Sequence, residues 1–338
     1  MYRYDHNVEP YMQVQQYLRR QQFERMRHGC NAQGWLLVAY LGIMSGSIML
    51  VGFLNGFVQT VRSVAEYGRA DVSVSTEEII YYSGWGYILA GVIGFALLLL
   101  WKKPAYISGT IFKRNRTMKP LRFVQILSLF MTVQLLHLLL GAVVESVLKQ
   151  FGVIFEGDAG YSADGWSMFI YSAVAAPVTE EILFRGVLLR SFEPYGKRFA
   201  IVTSALLFGL FHGNLSQGLF AFSAGLVLAY VALEYHILWA VVLHMFNNMM
   251  IADTLSRLTQ WLAPEWERPV LLAVLGVFGL IAMVTLGLKW QRIAAFFQKE
   301  RNEPDCYKAF WSAAGIIVLV VLCVLAILES LLTSITPI

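Results

Sequence analysis

The chain has 338 residues, 57% of them hydrophobic and only 14% charged, with a net charge of +4 and a mean hydropathy of +0.59. A soluble globular protein carries about 25% charged residues, so this composition excludes one. The apolar excess is gathered into runs near the ~20 residues that crossing hydrocarbon requires. The expected fold class is therefore all-α, a polytopic transmembrane helical bundle whose first partner is the lipid bilayer and not nucleic acid.

Residues 1–33 read as a cytosolic basic amphipathic segment, with Met12, Tyr17, Leu18, Phe23 and Met26 set among Arg19, Arg20, Arg25 and Arg27. Such a helix is expected to lean on anionic headgroups. No apolar run suited to a signal peptide occurs there. Nine spans follow, at about 35–58, 83–101, 123–147, 166–190, 199–213, 216–235, 237–256, 269–288 and 310–332. The fifth is short and reads as a tilted or buried segment. They group into N-terminal helices (34–148), a central set (166–256) and C-terminal helices (269–338). Cys30, Cys306 and Cys323 are scattered and odd in number, which suggests neither a disulfide framework nor metal spacing.

Charge sets the orientation. Lys102, Lys103, Lys113, Arg114, Arg116, Lys119 and Arg122 follow span two; Arg190, Lys197 and Arg198 follow span four. Lys289, Arg292, Lys299, Arg301 and Lys308 follow span eight. The loops after spans one and three are mixed or acidic (Glu66, Asp71, Glu77, Glu156, Asp158, Asp164). With nine spans, the positive-inside rule places the N-terminus in the cytosol and the C-terminus outside.

Ionisable residues at the bilayer centre cost about 2.5–3.5 kcal/mol on insertion scales, yet this chain concentrates them. Span four holds Glu180, Glu181 and Arg185; span five ends at His212; span seven holds His244 and Asn248. Glu181 and Arg185, four apart, share a helix face and are expected to pair in a supporting role. Glu180 is rotated by about 100° and is free to face a cavity. His244 and Asn248 also share a face. At about 1.5 Å per residue, Glu180, His212, His244 and Asn248 lie roughly 11–20 Å from the cytosolic ends of their helices, so these helices are able to bring them together near mid-membrane. Pro177 is expected to kink or open span four so that the site is hydrated. His137 reads as a core hydrogen-bonder, and Glu234 and His236 as interfacial.

A carboxylate beside two imidazoles in a low-dielectric pocket suits a general base for water. An imidazole and a carboxamide on one face suit an oxyanion. Glu180, His212 and His244 are equally a zinc set with an open position. Both routes hydrolyse an amide, and the choice between them stays open.

These residues resemble the CPBP family of intramembrane proteases, also called the CAAX-processing or Abi family, whose motifs are EExxxR, FxxxH and HxxxN. Here they read Glu180-Glu181-x-x-x-Arg185, Phe208-x-x-x-His212 and His244-x-x-x-Asn248, inside residues 166–256. The resemblance implies that Glu180 activates water with help from His212, that His244 and Asn248 stabilise the oxyanion, and that Glu181 and Arg185 support them. It also implies a hydrophobic or lipidated peptide substrate. Eukaryotic relatives trim prenylated proteins; bacterial ones are linked to peptide maturation and bacteriocin self-immunity, and a bacterial cell membrane is the expected setting here. The rival reading is a non-catalytic scaffold or regulator that keeps the polar constellation for binding. A transporter is disfavoured by the absence of inverted repeats.

Overall fold

The computed structural model describes residues 8–69, 76–101, 106–155, 165–249, 264–299 and 302–337. It is a helical bundle built from α1 (Val8–Tyr67), α2 (Thr76–Trp101), α3 (Pro120–Gln150), α4 (Trp166–Tyr195), α5 (Lys197–Phe211), α6 (Leu215–Glu234), α7 (Ile237–Met249), α8 (Pro264–Lys299), α9 (Cys306–Trp311) and α10 (Ala314–Ser334). The acidic stretch 156–164, Lys102, Lys103, Asp71, Arg301 and the continuation of the seventh span past 249 lie outside the described residues.

Seven of these helices are long and apolar enough to cross a membrane by themselves. The sequence suggests nine spans, and the difference lies in α5 and α7, of 15 and 13 residues. At about 1.5 Å per residue α5 reaches roughly 22 Å, short of a ~30 Å hydrocarbon layer, and its burial among neighbours satisfies what lipid could not; α7 is described as far as Met249. A second departure is α1, whose 60 residues run unbroken through the basic segment and the first apolar run. From Val8 onward the basic segment is therefore continuous with the helix that carries the first apolar run. Met26 and Cys30 are buried, and Gln22 donates to Glu303 at 2.6 Å.

Polar contacts sort the chain reversals onto two faces. On one, Glu303 N–H donates to Tyr195 O (2.9 Å), Asn115 N–H to Tyr235 O (3.0 Å), and His236 Nε2 meets Phe112 O (2.9 Å). Glu234 there joins Arg116 (3.1 Å) and Lys197 (3.0 Å). On the other face, Asn214 donates to Ser330 at 2.9 Å. Two three-residue strands not foreseen from sequence, β1 (Val153–Phe155) and β2 (Ile335–Pro337), pair there in antiparallel register, Val153 opposite Pro337. Among the described residues, Arg116, Lys197 and Lys308 fall on the first face.

Close backbone approach holds the bundle together, as it must where lipid is as apolar as leucine. A Cβ on Gly34 of α1 would lie 2.2 Å from the Gly315 carbonyl carbon of α10, and one on Gly84 of α2 would lie 2.3 Å from that of Ser167. Gly209 and Gly218 bring α5 and α6 together in the same way. His137 on α3 meets Ser216 of α6 at 3.4 Å and packs against Phe220, as a core hydrogen-bonder should.

Candidate active site

The fourth helix is irregular where the polar residues sit. Tyr171–Ala175 and Glu181–Leu188 are π-helical, with α-helical turns Trp166–Ile170, Ala176–Glu180 and Leu189–Phe192 around them. Such bulges are frequent at functional sites, because each frees a backbone group and re-aims side chains. Phe184 O, which takes the Leu189 N–H in this five-residue register, also accepts from buried Ser204 of α5 at 2.8 Å.

Glu181 is fully buried and serves two partners through one oxygen. Its Oε1 lies 3.1 Å from Arg185 Nη1 and 3.0 Å from His244 Nδ1. The expected Glu181–Arg185 pair is present, and the bond to His244 is an addition. A carboxylate on Nδ1 fixes the imidazole's orientation, as in other oriented histidines. Arg185 is also fully buried. Its guanidinium lies 4.0 Å from the centre of the Phe208 ring, and its Nε and Nη2 have no hydrogen-bond partner in the protein. Charge and the ring face, not a bidentate fork, hold it. Gly225 of α6 makes the room: a Cβ there would sit 3.2 Å from Arg185 Nη2.

Glu180, one residue earlier, keeps 21% of its side chain exposed and lies 3.8 Å from His244 Nε2. That separation exceeds a hydrogen bond but is within ion-pair distance. His244 thus stands between two adjacent glutamates, one bound and buried, one open. His212 caps α5 with Nδ1 on the Phe208 carbonyl at 2.8 Å. The Phe208 ring separates it from His244, at 4.8 Å from the first imidazole and 5.9 Å from the second. Asn248 turns its Nδ2 onto Ser172 O of α4 at 2.8 Å, while Asn247 donates to Asn248 Oδ1 at 3.3 Å. Of the four residues expected to meet, carried on α4, α5 and α7, Glu180 and His244 are the pair in direct reach.

Among the described residues no group of three His, Cys, Asp or Glu side chains is placed to hold a metal ion. His212, the third member of the expected zinc set, turns Nδ1 to its own helix's carbonyl and keeps Nε2 open.

Beside Glu180 runs an apolar groove of about 720 Å³ between α1, α2 and α4. Thr179, Val178 and Ile182 form its α4 wall, and Tyr40 of α1 reaches Thr179 and the field of Glu180 from across it. Sequence reasoning missed Phe208 as the ring against Arg185, His212 and His244, and it missed Gly225, Ser172 and Tyr40. Phe208 alone carried a signal, as the first letter of FxxxH.

Residues 162–250 match the family described as type II CAAX prenyl endopeptidase, Rce1-like. No curated protein and no solved structure matches the chain.

Proposed function

We propose that this chain, which belongs to the CAAX-type (CPBP) protease family through its domain at 162–250, is an intramembrane endopeptidase whose base is Glu180. The observation that carries this reading is His244 held between Glu181 (3.0 Å) and Glu180 (3.8 Å), on a helix whose neighbouring residues Val178, Thr179 and Ile182 line an apolar groove.

The residues divide the work as follows. The Glu180 carboxylate takes a proton from water, and the resulting hydroxide attacks the peptide carbonyl carbon. His212, whose Nδ1–H is spent on Phe208 O, offers its Nε2 lone pair to the water's second hydrogen. The tetrahedral oxyanion accepts from His244 Nε2–H, its charge supported by Glu181 on the opposite nitrogen, and from the second amide hydrogen of Asn248. Glu180 then passes its proton to the leaving nitrogen as the C–N bond breaks. The groove's lining suits an apolar or lipidated segment next to the scissile bond, which makes a hydrophobic or lipidated peptide the substrate class. The positive-inside rule places the face carrying Arg116, Lys197 and Lys308 in the cytosol.

The test is a comparison of new peptide termini, by mass spectrometry, in membranes that carry equal amounts of wild type or Glu180→Gln. Termini present only with wild type support the peptidase and identify its substrate. Identical termini, with a phenotype rescued equally by both, leave the non-catalytic scaffold as the reading.

A further inference from the structure

We infer that Pro177 is a positioning residue for Asn248, acting through the Ser172 carbonyl it leaves without a backbone partner. The inference rests on the proposed role of Asn248 as an oxyanion donor.

The geometry is specific. In the π-helical turn Tyr171–Ala175, backbone N–H groups return to the carbonyl five residues back, and Ala176 N–H bonds Tyr171 O. In that register the donor owed to Ser172 O is residue 177. Proline has no N–H, and the Ala176 N–H is already committed to Tyr171. Ser172 O, inside an apolar bundle, therefore needs an outside donor. It receives Asn248 Nδ2 at 2.8 Å from α7. Asn247 holds the other end of the carboxamide, donating to Asn248 Oδ1 at 3.3 Å. With one amide hydrogen on Ser172 O and the oxygen on Asn247, the carboxamide plane is fixed and its second hydrogen has one direction left. Pro177 itself is buried, three residues before Glu180. The same proline thus sets the backbone register ahead of the base and the orientation of the oxyanion donor.

Pro177→Ala supplies the missing N–H. The new backbone bond competes for Ser172 O and frees Asn248 to rotate, while the helix itself gains a better former. The assay uses a synthetic peptide spanning the cleavage found in the termini comparison, with full-length protein in detergent. The expected result is a kcat about tenfold lower, a KM within twofold, and a melting temperature equal to or above wild type. In an Asn248→Ala background, Pro177→Ala should cost nothing further, because both act on one group. A wild-type kcat for Pro177→Ala, or an equal fold-loss in both backgrounds, overturns the inference and points to displacement of Glu180 instead. If Asn248→Ala leaves kcat unchanged while Glu180→Gln is inactive, the oxyanion role falls and this inference falls with it, but the peptidase stands. If no Glu180-dependent terminus exists, both fall.

Discussion

The inner helices and the outer ones obey different rules. Half of the most apolar stretch of α6 is buried within the protein and 39% of that of α4, against 11% for α1 and for α8. The outer helices show lipid a surface of leucine, valine and phenylalanine, such as Phe53, Phe57, Leu280 and Leu288, where one apolar residue substitutes for another. The inner helices carry charges that lipid would not accept, and every one of those charges depends on a neighbour's position. A mutation in the outer shell is therefore read by the bilayer, and one in the inner set is read by the site.

The sharpest test of that contrast is Glu180→Gln, expected to lower turnover by about 10²–10⁴-fold, the range of a lost general base, with unchanged melting in detergent. Next is Glu181→Gln, which leaves the Arg185 guanidinium buried without its counter-charge. Thermal unfolding should show a loss of about 3–5 kcal/mol, largely restored by the second change Arg185→Met. The same substitution at Glu145 of α3, whose partner Lys149 is 55% exposed, should stay within about 0.5 kcal/mol. A smaller effect is expected from Gly225→Ala, where the methyl meets Arg185 and Phe208 at 3.2 Å; overpacking costs about 1–3 kcal/mol. Gly52→Ala on α1 meets nothing within 4 Å and should be neutral or slightly stabilising by the same measurement. Last comes an expected null effect: treatment with EDTA should leave Glu180-dependent cleavage unchanged, since the site's donors are not arranged as a metal set. Loss of activity restored by zinc would contradict that arrangement.

The same division decides how much was legible in the sequence. Apolar runs announce themselves by composition, so nine helical segments and their alternation are visible without a structure. Charged residues in such runs are conspicuous for the same reason, which is how Glu180, Glu181, Arg185, His212, His244 and Asn248 stand out. Helical spacing also gives the Glu181–Arg185 pair. Spacing does not give contacts between helices. Glu181 bonding His244 depends on how α4 and α7 cross, and His212 turning to its own helix depends on the ring of Phe208. The π-helical turns are invisible because a register of five is set by packing and by freed carbonyls, not by local propensity. The short pairing of β1 with β2 joins residues 180 or more positions apart, and nothing in either tripeptide predicts it.

The crossing of α1 with α10 has a consequence for how the protein is made. Gly315 N–H donates to Asn31 Oδ1 at 2.7 Å across 284 intervening positions, and the Gly34–Gly315 approach closes around that bond. At about 5–20 residues per second, roughly 15–60 s of synthesis separate the two partners. For that interval the small-residue face of the first helix waits in the membrane with its final neighbour not yet translated. The inner set, contiguous in sequence from α4 to α7, is complete well before. Assembly of this molecule is thus ordered from the middle outward, with its earliest-made helix among the last to be seated.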